Sequence, residues 1–101
     1  MKKIVALYRE PADPEAFWRH YREVHVPLAK TVPGLTAISV TTVDRTLVGE
    51  PGNYLLAELC FADEDTFRSA LRSPENAALG ADLAHFAGGI VTVFTATSKD
   101  F

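Results

Sequence analysis

The chain has 101 residues, 48% apolar and 23% charged, and its thirteen acidic and ten basic residues give a net charge of -3. These proportions are typical of folded proteins and far from those of disordered chains. No basic block is present that could neutralise a row of phosphates, so nucleic acid is not expected as a partner. The length suits a single domain over residues 1–101 with one core.

The first predicted elements are a strand and an amphipathic helix. Residues 3–9 are apolar on both sides, which indicates a central strand. Asp13 can cap a helix that begins with Pro14. Because Pro27 lacks an N–H, the helix must end or kink around His25. At about 100° per residue, one narrow arc forms the expected buried stripe: Phe17, Tyr21, Val24 and Leu28.

The rest of the chain predicts two strands, a second helical region and a last strand. In order, we expect a strand over 35–43, a loop over 44–53, a strand over 54–61, a helix capped by Asp63, a further helical stretch over 77–86 after Ser73-Pro74-Glu75, and a strand over 90–96. The order β-α-β-β-α-β is that of the ferredoxin-like α+β fold. Its four-stranded antiparallel sheet should have the first and third strands in the centre and both helices on one face.

The other face of this sheet has no predicted cover. In residues 54–61 both alternating sets of side chains are apolar, so neither set suits water. The most economical cover is the same face of a second copy, which predicts a homodimer of the dimeric α+β barrel type. Another subunit or a longer loop is the alternative cover.

The strongest candidates for chemistry lie in residues 17–28. His25 stands at the edge of the apolar stripe where Pro27 disturbs the helix, so it could act as a catalytic general acid or base in a groove between helix and sheet. Alternatively, His25 merely bonds the carbonyl that Pro27 leaves free. His20 has arginine neighbours and is expected on the surface. Its i,i+5 spacing from His25 does not suit a shared metal ion, for which i,i+4 is the usual helical spacing.

Other side chains are expected to line a cleft for a small hydrophobic organic ligand. Glu58 interrupts an apolar strand and needs a partner, either in the cleft or in a salt bridge across the dimer or at the mouth of the barrel. Tyrosines on neighbouring strands could donate hydroxyls to a ligand or could belong to the core. Asp82 and His85 are expected to form a solvated surface pair. The predicted ligand contacts are Phe17, Tyr21, Leu28, Tyr8, Tyr54 and Glu58.

Chemistry that depends on a cofactor has no visible support in the sequence. There is no glycine-rich phosphate loop, no Cys/His metal set and no serine in a nucleophile elbow, so neither cofactor nor metal is predicted. Cys60, the only cysteine, is expected to be a buried small apolar residue, which suits a reducing cytoplasm. The apolar run after Lys2 and Lys3 covers only residues 4–8, so neither export nor a membrane anchor is expected.

One motif covers most of the first helical region and the turn after it. It reads Phe17-x-x-His20-Tyr21-x-x-x-His25-x-Pro27-Leu28-Ala29, followed by Pro33-Gly34-Leu35. Together with Ser73-Pro74-Glu75 and residues 80–86, this motif resembles the EthD family. The resemblance implies a dimeric α+β barrel, in agreement with the periodicity. It also implies that a cleft histidine moves a proton without a cofactor, and His25 stands in that position.

Two functions remain open from the sequence, beside a stress-related or purely structural dimer. In the first, the protein is a cofactor-independent enzyme of isomerase, cyclase or lyase type, in which His25 shuttles a proton on a small aromatic or carbonyl catabolite. In the second, it is a non-catalytic binding or accessory protein of a catabolic pathway. Convergent polar groups in the cleft would favour the enzyme, and a purely apolar cleft would favour the binding protein.

Overall fold

The computed structural model describes all 101 residues and has the predicted β-α-β-β-α-β order. The sheet is antiparallel with strand order β2-β3-β1-β4, so the first and third strands are central. The ferredoxin-like α+β prediction is therefore confirmed. The strands are β1 (Lys2–Arg9), β2 (Leu35–Thr42), β3 (Asn53–Phe61) and β4 (Val91–Thr97).

Two helical regions pack on one face of the sheet. The first consists of α1 (Pro14–His20), a π-helical turn (Tyr21–His25) and α2 (Val26–Ala29). The second consists of α3 (Glu64–Leu71) and α4 (Pro74–Ala87). Each of the helices α1, α3 and α4 is capped at its first turn. The side-chain oxygens of Asp13, Asp63 and Ser73 accept hydrogen bonds from backbone N–H groups that would otherwise be unpaired.

The π-helical turn corrects the predicted buried stripe. The N–H of Val26 donates to the carbonyl of Tyr21, five residues back instead of four. The wider spacing changes the direction in which the last residues of this turn face. As a result, Val24 is 40% exposed and His25 only 6%. The prediction that Val24 is buried is therefore wrong, and the histidine takes its place in the stripe.

Pro27 does not end the helix. It lies in the first turn of α2, directly after the π-helical turn, where a missing N–H costs little. The predicted disturbance at His25 is thus a change of helix type. After this change of helix type, Ala29 is a buried core residue, whereas Leu28 is only half-buried against the core.

The core between helices and sheet has two clusters. One consists of Ile4, Ala29, Val32, Leu59, Phe61, Phe67, Ala70 and Leu79, and the other of Tyr8, Phe17, Tyr21, Leu55, Ala57 and Ala87. Gly34 leads the chain from α2 into β2 with φ +77°, and a Cβ there would overlap the Thr66 side chain. The turn and the close approach both need glycine.

No helix packs on the second face of the sheet. Register places Val5 opposite Glu58 and Phe94, and Leu7 opposite Leu56, and these side chains point away from the two core clusters. We call this surface the open face. The chain measures 36 × 35 × 18 Å, and the short dimension fits one helix layer on one sheet.

Two further features of the fold concern the single cysteine and the helices. Cys60 is buried, as predicted. None of the helices has both the length and the hydrophobicity that crossing a membrane requires.

Candidate functional site

A cavity of about 340 Å³ lies between the sheet and the two helical regions. Its size is within the range of small-molecule sites. Fourteen of its eighteen lining residues are hydrophobic, so polar contacts to an occupant can come from only a few places. Five lining side chains carry polar atoms, and two of them are tyrosines that also count as hydrophobic. They are Tyr8 of β1, Tyr21 and His25 of the π-helical turn, Asn76 of α4 and Thr95 of β4.

One carboxylate holds both histidines of the first helical region. Asp82 of α4 contacts His25 Nδ1 through Oδ2 at 2.9 Å and His20 Nε2 through Oδ1 at 2.8 Å. Burial is the largest single effect on the Asp82 pKa and raises it, but the hydrogen bonds from the two histidines together hold that pKa below its usual value. Asp82 is therefore ionised near neutral pH.

The ionised carboxylate determines which ring nitrogens carry protons. A carboxylate can only accept hydrogen bonds, so His25 must carry a proton on Nδ1 and His20 on Nε2. When His25 is neutral, its Nε2 therefore holds a lone pair. This atom has no hydrogen-bond partner within the chain and is not fully enclosed by protein atoms. Because His25 lines the cavity and its Nδ1 is occupied by Asp82, Nε2 is the ring nitrogen left for an occupant.

Aromatic rings exclude water from the His25 imidazole. The Tyr21 ring stacks on it with centroids 5.6 Å apart, and the Phe86 ring lies 4.9 Å away. Burial lowers the pKa of His25, the hydrogen bond and charge of Asp82 oppose this effect, and the nearby His20 adds to it. The result is a neutral imidazole at pH 7, the form that a general base requires.

The positions of His20 and His85 differ from what was predicted for them. His20 is half-buried, with 27% of its side chain exposed, because Asp82 and the Phe86 ring hold it against α4. Its i,i+5 spacing from His25 spans one π-helical turn, which brings both rings to one carboxylate. Asp82 bonds these two residues and not His85, which is exposed. No group of three His, Cys, Asp or Glu side chains is arranged to hold a metal ion.

Tyr8 has an unusual environment. It is fully buried, and its hydroxyl oxygen is the one fully buried side-chain polar atom without a hydrogen-bond partner. Leaving such a hydroxyl unpaired costs about 1–3 kcal/mol. Burial, with smaller contributions from Tyr21 and Asp82, raises the pKa of Tyr8 far above its ordinary value, so the hydroxyl stays protonated.

The structure separates the other predicted ligand contacts. Tyr21 lines the cavity, and burial raises its pKa to about 12. Phe17 lies behind Tyr21 with the two rings stacked 5.7 Å apart, so it supports the wall without lining the cavity. Leu28 packs against the core cluster around Ile4 and also does not line the cavity.

Tyr54 and Glu58 lie elsewhere. The hydroxyl of Tyr54 accepts a hydrogen bond from Trp18 Nε1 at 2.9 Å, beyond the end of the cavity. Glu58 pairs with Lys3 at 2.7 Å on the open face, because register directs both side chains away from the helices. The geometry matches the alternative of a salt bridge in kind, but the bridge lies within one chain and not across a dimer.

Asp82 and Phe86, which surround His25, were not predicted as its neighbours. A signal was available in the helical angles of α4. At about 100° per residue, Asp82 lies about 60° from Leu79, on the flank of the buried stripe, and Phe86 lies within it. His85 lies about 120° from Leu79, twice as far from the stripe as Asp82, so the angles favour Asp82 over His85 as an inward-facing group.

Three comparisons place the chain among known proteins. The EthD domain model matches residues 9–90. An uncharacterised 11.0 kDa protein of Rhodococcus erythropolis, from the thcB-thcC intergenic region, is 36% identical over 96 residues, which are 94% of this chain and 93% of that protein. An EthD family protein from Bacillus halodurans C-125 superposes with a TM-score of 0.90 at 35% identity, covering 98% of this chain and 99% of the other.

A more distant structure shares the fold alone. The cofactor-independent oxygenase SnoaB from Streptomyces nogalater has a TM-score of 0.68 at 16% identity, over 99% of this chain and 94% of SnoaB.

Proposed function

We propose, from the premise that this chain belongs to the EthD domain family, that it catalyses cofactor-independent proton transfer on a small hydrophobic compound. The observation that carries the proposal is the His25 imidazole, with Nδ1 fixed by Asp82 and Nε2 available in an apolar cavity. A buried, oriented and neutral imidazole is the usual form of a general base. SnoaB is a cofactor-independent oxygenase with the same fold, so this scaffold is compatible with chemistry that needs no cofactor.

The proton transfer needs only groups of this chain. Nε2 of His25 takes a proton from an acidic C–H next to a carbonyl, and the imidazolium is stabilised by the Asp82 carboxylate. Returning the proton to the same or another carbon regenerates the neutral imidazole. Isomerisation, cyclisation and elimination can all begin from the resulting carbanion.

The proposal can be tested with α-tetralone, a flat, neutral ketone with protons next to the carbonyl. In D₂O, NMR should show deuterium entering that position faster with the protein than in buffer, by about 10²-fold or more. The rate should be level near pH 7 and fall only as the pH drops through the His25 pKa, which burial holds below 6.5. The direction follows because the protonated imidazole has no lone pair on Nε2.

The control is the same protein unfolded in urea, whose histidines have ordinary pKa values. If the folded chain binds α-tetralone but exchanges its protons no faster than the unfolded chain does, the enzyme proposal is wrong.

A second candidate function is binding without turnover. The observation in its favour is the predominance of hydrophobic residues in the cavity wall, which suits a carrier or an accessory protein for an apolar catabolite. Mass spectrometry of small molecules retained by the purified protein would support this candidate if it found a stable hydrophobic ligand that remains chemically unchanged.

We also propose that two copies associate through the open face to form a homodimer. Its apolar side chains include Leu7 and Leu56, which are half-buried, and Phe94, which is 42% exposed, whereas Val5 is already buried within the chain. An uncovered apolar surface of this kind favours an isologous contact. Phe94 lies opposite Val5 on this face and also lines the cavity. A second copy on this face would therefore cover the outer side of one cavity-lining residue.

Light scattering with size exclusion should give a mass twice the 11.0 kDa of one chain. Leu56→Glu should weaken association at least about 30-fold, because it places a charge at the centre of the buried contact. Leu47→Glu is a matched control, since Leu47 is exposed in the β2–β3 loop. A monomeric wild-type chain, or a Leu56→Glu variant as dimeric as the control, would contradict the proposal.

A further inference from the structure

The Tyr8 hydroxyl has no role in packing that a phenylalanine could not fill. Its ring makes edge contacts with Phe17 and Tyr21, at centroid distances of 5.4 and 5.8 Å. The hydroxyl adds an unpaired polar atom to this buried position. Because buried polar groups are nearly always hydrogen-bonded in native proteins, the missing partner calls for an explanation.

The cavity provides a place for that partner. Tyr8 and His25 line the same cavity, and both contact the ring of Tyr21. The hydroxyl stays protonated at every physiological pH, so it can always donate a hydrogen bond. The hydroxyl is fully buried within the chain, so an occupant reaches it only when neighbouring side chains of the cavity wall move aside. An oxygen atom of such an occupant would satisfy Tyr8 while a neighbouring carbon approaches His25.

The charges around the cavity restrict which oxygen this can be. No lysine or arginine lines the cavity, so a carboxylate or phosphate would find no cation to pair with. The nearest fixed charge, on Asp82 behind His25, is negative and disfavours an anion. A neutral carbonyl oxygen fits these conditions, because it only accepts hydrogen bonds and carries no net charge.

From these observations we infer that the site takes neutral enolisable ketones, and that Tyr8 donates its O–H to the ketone oxygen while His25 removes the adjacent proton. This inference rests on the proposed function, whose substrate class it specifies. As His25 Nε2 takes the proton, the C–H electron pair forms the C=C bond of the enolate and the C=O π pair moves to oxygen. The hydrogen bond from Tyr8 stabilises that oxygen, as donors in an oxyanion hole do.

The experiment compares two probes that differ by one oxygen: α-tetralone and tetralin, the same ring system without the carbonyl. Calorimetric titration should show that Tyr8→Phe weakens α-tetralone binding roughly tenfold and changes tetralin binding less than twofold. The Tyr8→Phe chain should unfold at the same urea concentration as wild type or a higher one, because the hydroxyl has no partner within the protein.

Tyr54→Phe is the matched control. Its hydroxyl is bonded to Trp18 outside the cavity, so removing it should lower the urea midpoint and leave both affinities unchanged. Three results would overturn the inference: equal effects of Tyr8→Phe on both probes, a Tyr8→Phe chain as destabilised as the control, or no α-tetralone binding by wild type at the probe's solubility limit.

The exchange assay separates this inference from the proposed function. Proton exchange by wild type without a selective loss of ketone affinity in Tyr8→Phe would overturn the inference alone. Ketone-selective binding through Tyr8 without any proton exchange would overturn the proposed enzyme function alone.

Discussion

His25→Gln should reduce the exchange of α-tetralone protons by about 10²–10⁴-fold, the usual contribution of a general base. Glutamine is close to histidine in size, and its amide N–H can still donate to Asp82, but it has no lone pair of comparable basicity. We therefore expect the affinity for α-tetralone to change by only a few fold. The measurements are NMR exchange rates at pH 7 and calorimetric affinities.

His85→Gln is the matched control for this substitution, because it removes an exposed imidazole on α4. Its exchange rate should equal that of wild type. An unchanged rate in His25→Gln would show that some other group moves the proton and would leave binding as the better supported function.

The same variant should alter the stability of the chain in acid. His25 has a lower pKa in the folded state, so below pH 6.5 the unfolded chain takes up its proton first and wild type loses stability. The sign is fixed because stability rises with pH wherever the unfolded state binds more protons, so lowering the pH through this range destabilises wild type. His25→Gln lacks this contribution, and its urea midpoint should therefore fall less than that of wild type between pH 7 and pH 5.

Most of the fold could be predicted because its signals are local. Asp13, Asp63 and Ser73 stand where helices begin, and each caps the helix that follows it. Apolar runs on both sides of residues 3–9 and 54–61 marked the two central strands. These patterns depend on residues within a few positions of one another, which is the range over which a sequence can be interpreted directly.

The surroundings of His25 depend on less local causes. An ordinary helix of 3.6 residues per turn would place Val24 inside, and only the π-helical turn replaces it with His25. Asp82 is 57 residues from His25 along the chain, so their pairing arises from the packing of α4 against the first helical region. Such π-helical turns often occur at functional sites, which agrees with the role proposed for this segment.

Glu58 lies on the open face of the sheet, although a place in the cleft was predicted for it. A carboxylate in an apolar strand does need a partner, and Lys3 provides one from the neighbouring strand. The sequence could not indicate which face of β3 the helices cover, because both faces are apolar. The sequence therefore contains no signal that decides whether a residue of β3 faces the cleft or the open face.

Asp82→Asn should have the second largest effect on the reaction, although Asp82 is a positioning residue without contact to the substrate. Asparagine has one acceptor oxygen and one NH₂ donor, so it cannot accept hydrogen bonds from both His20 and His25. Where the NH₂ group faces His25, it favours the tautomer with the proton on Nε2, which removes the lone pair from the cavity. We expect the exchange rate to fall by about 10²-fold or more, in the range reported for general-base catalysis.

The pH profile distinguishes this positioning role from simple loss of structure. Asp82 raises the pKa of His25 against the lowering effect of burial, so removing its charge lowers that pKa further and moves the acidic limb of the residual rate to lower pH. An unfolded or loosened site would instead move the limb toward 6.5, the value of a solvated imidazole. Calorimetry should show that α-tetralone affinity is nearly retained. A variant with unchanged rate and limb would mean that the carboxylate serves only to hold α4 against the first helical region.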